Sequence, residues 1–292
     1  MPALTPIDNL LLPLLSPDRV GVLVFEAYVA GNSFQTPFQL LSQSLELLPT
    51  VLSSGLIVHV EGRITIWAES YTKLLAFNQT QYDRVLSLDS DATVLQPMDE
   101  LFLLPPCPVA MPRAYWGNFD DRVLGSYIML IQPSEFEFNR VMKAIKKASD
   151  SKYDMEIVNH LYRDSALILP HRPYGLLTGE FRSNHHTAYL GNDDEVWDPD
   201  QVFKEAKYMH SSDWPVSKPW NYTPQLIIQE NQPICHNDTV SGAEDCRSRD
   251  LWLGFYSDFA QRREKICGMG LEMGIQRTFD KRRPHAYEPV FG

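Results

Sequence analysis

Apolar residues along this chain fall into two patterns, and each predicts a different element. Short continuous runs, 20-VGVLVF-25, 56-LIVHV-60 and 84-RVLSL-88, are rich in β-branched residues and predict strands covered on both faces. Other segments space their apolar residues as a helix does. In 69-ESYTKLLAFNQTQYD-83 the side chains of Tyr71, Leu74, Leu75 and Asn78 share one helical face. The segment 134-SEFEFNRVMKAIKKASD-150 opens on Ser134 with Glu137 three residues later, the signature of a capping box. Alternation of such strands and helices predicts an α/β fold with a mainly parallel central sheet flanked by helices. From about residue 170 the pattern breaks up: Pro, Gly, His and Asn become frequent, and long loops with short elements are expected. The stretch 257-SDFAQRREKICGMGLEMGIQR-277 carries further helical segments, and 281-KRRPHAYEPVFG-292 has the composition of a solvated tail. No internal repeat is present.

The run at 84–88 ends on two aspartates, Asp89 and Asp91, and apolar residues resume at once in 85-VLSLDSDATVLQPMDELF-102. In open α/β sheets ligands bind beyond the carboxyl ends of the strands, which is where this pair falls. Residues i and i+2 of an extended chain point the same way, so both carboxylates can face one spot. Unpartnered, they would repel each other and be costly to desolvate; a hard divalent cation relieves both penalties. An EF-hand loop starting at Asp89 is excluded, because its sixth position needs Gly and holds Val94. Two chemistries remain. The string L-S-L-D-S-D-A-T resembles the first motif of haloacid dehalogenase-like phosphatases, with Asp89 as nucleophile, Asp91 as acid/base and 191-GNDDEVWD-198 as a later acidic motif. It also resembles the D-x-D of nucleotide-sugar glycosyltransferases, in which a metal bridges the aspartates and a diphosphate.

The surrounding residues favour the second chemistry. The segment 71-YTKLLAFNQTQYDRVLSLDSDATVLQPMDELF-102 resembles, almost position for position, the glycogenin-like family 8 of retaining glycosyltransferases. So, in order, do 126-SYIMLIQPS-134, 153-YDMEIVNHLY-162 and 208-YMHSSDWPVSKPWNY-222, the last being similar to the family's H-x-x-G-x-x-K-P-W-N-Y signature. Leu124-Gly125-Ser126 and Met155 depart from the usual pattern in a way that resembles fungal α-N-acetylglucosaminyltransferases. The resemblance implies a GT-A-like catalytic domain over residues 1–234 and a C-terminal extension at 235–292. It implies that Asp89, Asp91 and His210 hold manganese and that Lys218 neutralises the donor diphosphate. It also implies that Lys73, Ser90, Gly125 and Ser126 contact the donor, and that Asp154 faces the transferred sugar and the acceptor. The expected reaction is retaining transfer of GlcNAc or glucose from a UDP-sugar to a glycan or glycoprotein. Residues 1–50 do not match the family's first strand, so a transferase fold kept only as a binding module is the alternative.

Composition then narrows the partners. With 292 residues, 44% of them hydrophobic, and 26 basic against 37 acidic residues for a net charge of -11, the chain reads as globular. That balance argues against nucleic acid or an anionic membrane as the main partner. The leucine-rich piece 10-LLLPLL-15 is far short of the roughly 20 apolar residues of a membrane span. No span is therefore expected, while the resemblance to fungal enzymes implies the Golgi, with the cytoplasm as alternative. Cys107, Cys235, Cys246 and Cys267 form no C-x-x-C motif and are expected as buried thiols; Cys235 and Cys246 could close a small loop in an oxidising compartment. Sequons stand at Asn78, Asn221 and Asn237. Several residues carry a plainer reading. Asp99 and Glu100 suit a helix start, His185 and His186 a surface loop, and Lys143, Lys146 and Lys147 a solvated helix face. Trp214 and Trp220 could stack on a sugar but suit anchors holding a loop to the core, and Asp154 reads equally as a helix cap.

Overall fold

A computed structural model describes residues 20–25, 70–149, 152–219, 221–237 and 244–267. The expected strand at 56–60, Trp220 and the tail at 281–292 lie outside the described residues. The centre is a five-stranded sheet in the spatial order β1 (Val20–Phe25), β2 (Arg84–Asp89), β5 (Ile128–Ile131), β4 (Val109–Pro112) and β6 (Leu167–Leu169). β1, β2, β4 and β6 run the same way, so the sheet is mainly parallel; β5 runs against both of its neighbours. The exception has a simple origin. The chain from β4 to β5 contains a short turn at Phe119–Asp121 and an Arg113–Leu124 bridge instead of a crossover helix, and so it returns antiparallel.

Alternate residues of the middle strands feed two hydrophobic clusters, one on each face. Leu86, Leu88, Ala110, Ile128 and Leu130 join Met98, Leu101, Phe102 and Tyr208 on one side. Val85, Val109, Met111, Met129 and Ile131 join Leu74, Phe77, Val141, Ile157, Val158 and Tyr162 on the other. The second side is covered by the helices Glu135–Lys147 and Asp154–Tyr162 and by the 3₁₀ helix Ser70–Asn78. Its tighter winding brings Leu74 and Phe77 into the core at a spacing of three and leaves Asn78 exposed, in place of the four-residue face that the sequence pattern predicts. Ser134 caps its helix by accepting from the Glu137 amide at 3.1 Å. The other half of the capping box does not form, because the Glu137 carboxylate accepts from Arg140 and from Tyr162, each at 2.7 Å. Lys143, Lys146 and Lys147 are exposed, as expected.

From residue 171 to 245 the elements are short, and a third cluster gathers them. Leu176, Phe181, Tyr189, Val202, Met209 and Val216 pack with Trp252, which comes from the long helix Arg247–Cys267. That helix starts earlier than its sequence pattern suggests. A second correction concerns the cysteines: Cys235 and Cys246 form a disulfide across two short paired strands, and both are half-buried, so they are not the buried thiols expected. Among the described residues Cys107 is free. Trp252 is fully buried, so Trp252→Ala should lower the unfolding free energy by about 3–5 kcal/mol. Phe136→Ala, at a side chain 70% exposed, should change it by no more than about 0.5 kcal/mol. Denaturant unfolding followed by circular dichroism checks both, and equal effects would refute the packing assignment.

Candidate functional site

Asp89 is the last residue of β2, and Ser90 and Asp91 form the turn into β3 (Ala92–Val94). β3 leaves the central sheet and pairs instead with β8 (Tyr208–His210), which also pairs with β7 (Leu176–Leu177). The register sets Ala92 opposite His210, and the Ser211 amide extends the ladder by donating to the Asp91 carbonyl at 2.8 Å. Two segments far apart in sequence are thus clamped side by side at the end of β2. One donor atom from each of Asp89, Asp91 and His210 lies within 4.8 Å of the others. His210 Nε2 is 3.2 Å from Asp91 Oδ1 and 3.6 Å from Asp89 Oδ2.

The remaining charges interlock. Lys73, from the 3₁₀ helix, places Nζ 2.6 Å from Asp89 Oδ1 and 2.9 Å from Asp154 Oδ2, and is itself buried. Ser126 donates to Asp154 Oδ2 at 2.6 Å, so Asp154 is held on its inner side by a hydroxyl and a cation. Asp154 is the first residue of its helix, preceded by Tyr153 at the cap position, and it is buried; the capping reading is set aside. Lys218 Nζ sits against Asp91 Oδ2 and donates to the Ser211 carbonyl at 2.9 Å, while its side chain stays 45% exposed. Burial pushes the Asp89 and Asp91 carboxyls up, yet the cations prevail. Lys73 and His210 hold Asp89 below the usual carboxylate range, and His210 and Lys218 do the same for Asp91. Burial would likewise lower Lys73, but Asp89 and Asp154 raise it above the ordinary lysine value.

Two tyrosines that sequence reasoning passed over support this arrangement. The Asp89 amide donates to the Tyr208 hydroxyl at 3.1 Å, and that hydroxyl donates to the Tyr127 carbonyl at 2.8 Å, which ties β2, β5 and β8 together at the site. Tyr208 lies two residues before His210 on one strand, a spacing that could have flagged it. The Tyr127 ring lies 5.5 Å from the His210 ring. A Cβ on Gly125 would come within 2.3 Å of that ring, and one on Gly175 within 2.2 Å of its hydroxyl, so both glycines make room for Tyr127. Gly125, expected at the donor pocket, thereby also shapes the wall behind the cation ligands.

Ser90 is half-buried in the β2–β3 turn, between the two aspartates. Other candidates fall elsewhere. His186 pairs with Glu180 at 2.8 Å and stacks on Trp197, and His185 is exposed. Asp99 and Glu100 open a 3₁₀ helix, Asp99–Leu103, the expected helix start, and the Glu100 carboxylate accepts from Tyr174 and Lys207. Trp214 is 71% exposed, which overturns its expected role as a core anchor.

Two carboxylates and an imidazole are a donor set suited to a first-row divalent cation such as manganese, and their spacing allows one ion to reach all three. Without an ion, His210 is held between the carboxylates. Burial lowers its pKa, but Asp91 and Asp89 outweigh it and raise the value from 6.5 to about 9. A cation held there must therefore displace a proton from His210, and the affinity for a divalent probe such as manganese should fall about tenfold per pH unit between roughly pH 8 and 6. Calorimetry across that range checks this; a flat profile would contradict it. The sign for the metal-free chain is the opposite: a raised histidine pKa adds stability below 6.5 that is lost as pH rises through about 9. Melting in the presence of a chelator should show that loss, and His210→Gln should remove it.

No protein-family profile matches the chain. Among curated proteins it is similar to "Glucose N-acetyltransferase 1" of Gibberella zeae, 53% identical over 232 residues that cover 78% of this chain and 50% of the relative. The protein of the same name in Aspergillus fumigatus is 46% identical over 239 residues, covering 78% of this chain and 62% of the relative. The chain thus spans half to about three-fifths of the length of these relatives. Among solved structures it resembles the WbbM bifunctional glycosyltransferase, with a TM-score of 0.52 at 13% identity, over 84% of this chain and 49% of that one. The galactosyltransferase LgtC, solved with donor and acceptor sugar analogues, gives a TM-score of 0.50 at 13% identity over 87% of this chain and 99% of that one. The chain has the GT-A glycosyltransferase fold, a mixed sheet flanked by helices with an Asp-Asp-His group at the end of β2.

Proposed function

We propose that this chain is the catalytic part of a glycogenin-like family 8 enzyme that moves N-acetylglucosamine from UDP-N-acetylglucosamine to a glycan or glycoprotein, with retention and with manganese. The observation that carries this reading is the junction of Asp89, Asp91 and His210 by the β3–β8 pairing, with Lys73 and Lys218 at its edges. The name of the fungal relatives joins glucose to an N-acetyl group, and N-acetylglucosamine combines the two. Acetyl transfer, the literal sense of that name, breaks a thioester and leaves no charge growing on a diphosphate for the aspartate pair and Lys218 to offset. The phosphatase reading of Asp89 loses its support with the GT-A fold.

The ion, when bound, supplies positive charge to the diphosphate oxygens. The protein residues do the rest. His210 gives up its proton, and Lys218, the most exposed of the cations, leaves Asp91 to take a phosphate oxygen as the bond from sugar C1 to that oxygen breaks. Asp154, fixed by Lys73 and Ser126, stabilises the oxocarbenium-like sugar. The acceptor hydroxyl attacks the same face of C1 and passes its proton to the departing diphosphate. Calorimetry of UDP and UDP-N-acetylglucosamine, with and without manganese, tests the reading. Binding should need the metal and weaken at least about a hundredfold in Asp91→Ala. No binding of either nucleotide would sink it, and binding without turnover on any acceptor would leave a binding module.

The same reading places the chain in the Golgi lumen, supported by the Cys235–Cys246 disulfide, a bond of oxidising compartments. Among the described residues no helix is long and apolar enough to cross a membrane. In fungal extracts alkylated under native conditions and then denatured, Cys235 and Cys246 should label only after reduction; ready labelling of both would argue for the cytoplasm.

A further inference from the structure

We infer that Trp214 is the stacking platform for a pyranose ring of the acceptor, an assignment that rests on the glycosyltransferase reading above. The indole stands at the tip of a tight turn, in which the Val216 amide donates to the Asp213 carbonyl at 2.8 Å. Asp213 and Val216 are buried, while Trp214 is 71% exposed. The base of the turn is unusually well fixed. The Asp213 side chain is fully buried; its Oδ2 accepts from Thr178 Oγ1 and from the Tyr256 hydroxyl at 2.7 Å, and Arg182 lies 3.6 Å from its Oδ1. Arg182 also donates to the Trp214 carbonyl at 3.3 Å and to Asn231 Oδ1 at 3.0 Å. Backbone order is thus secured by buried polar groups, and none of it requires an indole at the tip.

An aromatic face held outward on a rigid base binds at low entropic cost, because little remains to be ordered. The flat indole suits the apolar C–H face of a sugar, and its N–H can donate to a ring hydroxyl. Location selects the acceptor. Ser211 is tied to Asp91 by its amide and to Lys218 by its carbonyl. Trp214 follows three residues later, so its Cα lies at most about 11 Å from that of Ser211. On the glycosyltransferase reading the donor sugar is met by Lys73, Ser126 and Asp154, which join one another on other elements. Ser212 and Lys218, two before and four after Trp214 in sequence, are polar and exposed, which favours a hydroxylated ring over an aliphatic protein surface.

The test uses methyl glycosides of the common neutral hexoses, as α and β anomers, observed by saturation-transfer NMR on the manganese-treated chain with and without UDP. At least one glycoside should bind the wild type, weaken about tenfold or more in Trp214→Ala, and recover to within about threefold in Trp214→Tyr. Manganese-dependent UDP affinity should hold within about twofold in both variants. If no glycoside binds the wild type, or if Trp214→Ala binds as well as the wild type, the inference is overturned. Failure of the underlying reading looks different: the wild type would bind no UDP, whatever happens at Trp214.

Discussion

Three carboxylates, Asp89, Asp91 and Asp154, converge in a largely buried corner, and the elements around them are arranged so that none stands unneutralised. Lys73 serves two of them, Lys218 serves one, and His210 is shared between the aspartate pair. Each cation comes from a different part of the chain: the 3₁₀ helix before β2, the strand β8, and the loop after it. Removing one partner from a buried group of charges strands the rest at a cost of several kcal/mol. That penalty binds these distant segments to one another more strongly than apolar contact alone would. It also poises the corner for exchange, because a divalent cation can take over the work of a proton on His210 and of a flexible lysine.

The scaffold makes the convergence possible by splitting the sheet. β2 is covered on both faces, and its end would be sealed if the next strand stayed in the same layer. β3 turns away and pairs with β8, which opens a seam at Asp89. Tyr208 closes the back of that seam with its hydroxyl. Gly125 and Gly175 keep side chains away from Tyr127, so its ring can pack beside His210. Along β8 the split is visible residue by residue: Tyr208 belongs to the cluster on the central sheet and Met209 to the cluster around Trp252. The strand carrying the imidazole is therefore clamped from both sides.

Much of this was legible in the residues alone. The apolar run ending at Asp89 announces a buried strand with two charges at its carboxyl end, and few arrangements other than a cation site explain that. The capped helix after Ser134 follows from local hydrogen bonding, and so could be read without a fold. Readings that failed did so where a neighbour outbid a local rule. Glu137 left the capping box for Arg140 and Tyr162, and the helix before β2 wound more tightly to bury Phe77. Trp214 failed differently: a large apolar residue in a loop gives no sign of which way it faces until its turn is fixed by Asp213 and Arg182.

What the sequence determined by itself was the strand end with its aspartate pair, because alternation along an extended chain points both carboxylates one way whatever surrounds them. Resemblance supplied the names of His210, Lys218, Lys73 and Asp154, but not their contacts. Tertiary structure alone decided that Ala92 pairs with His210, that Lys73 bridges Asp89 and Asp154, and that Tyr208 fastens three strands together. The reason is physical: strand register and side-chain pairing between residues as much as 119 positions apart depend on how whole layers pack, and no local pattern encodes that distance.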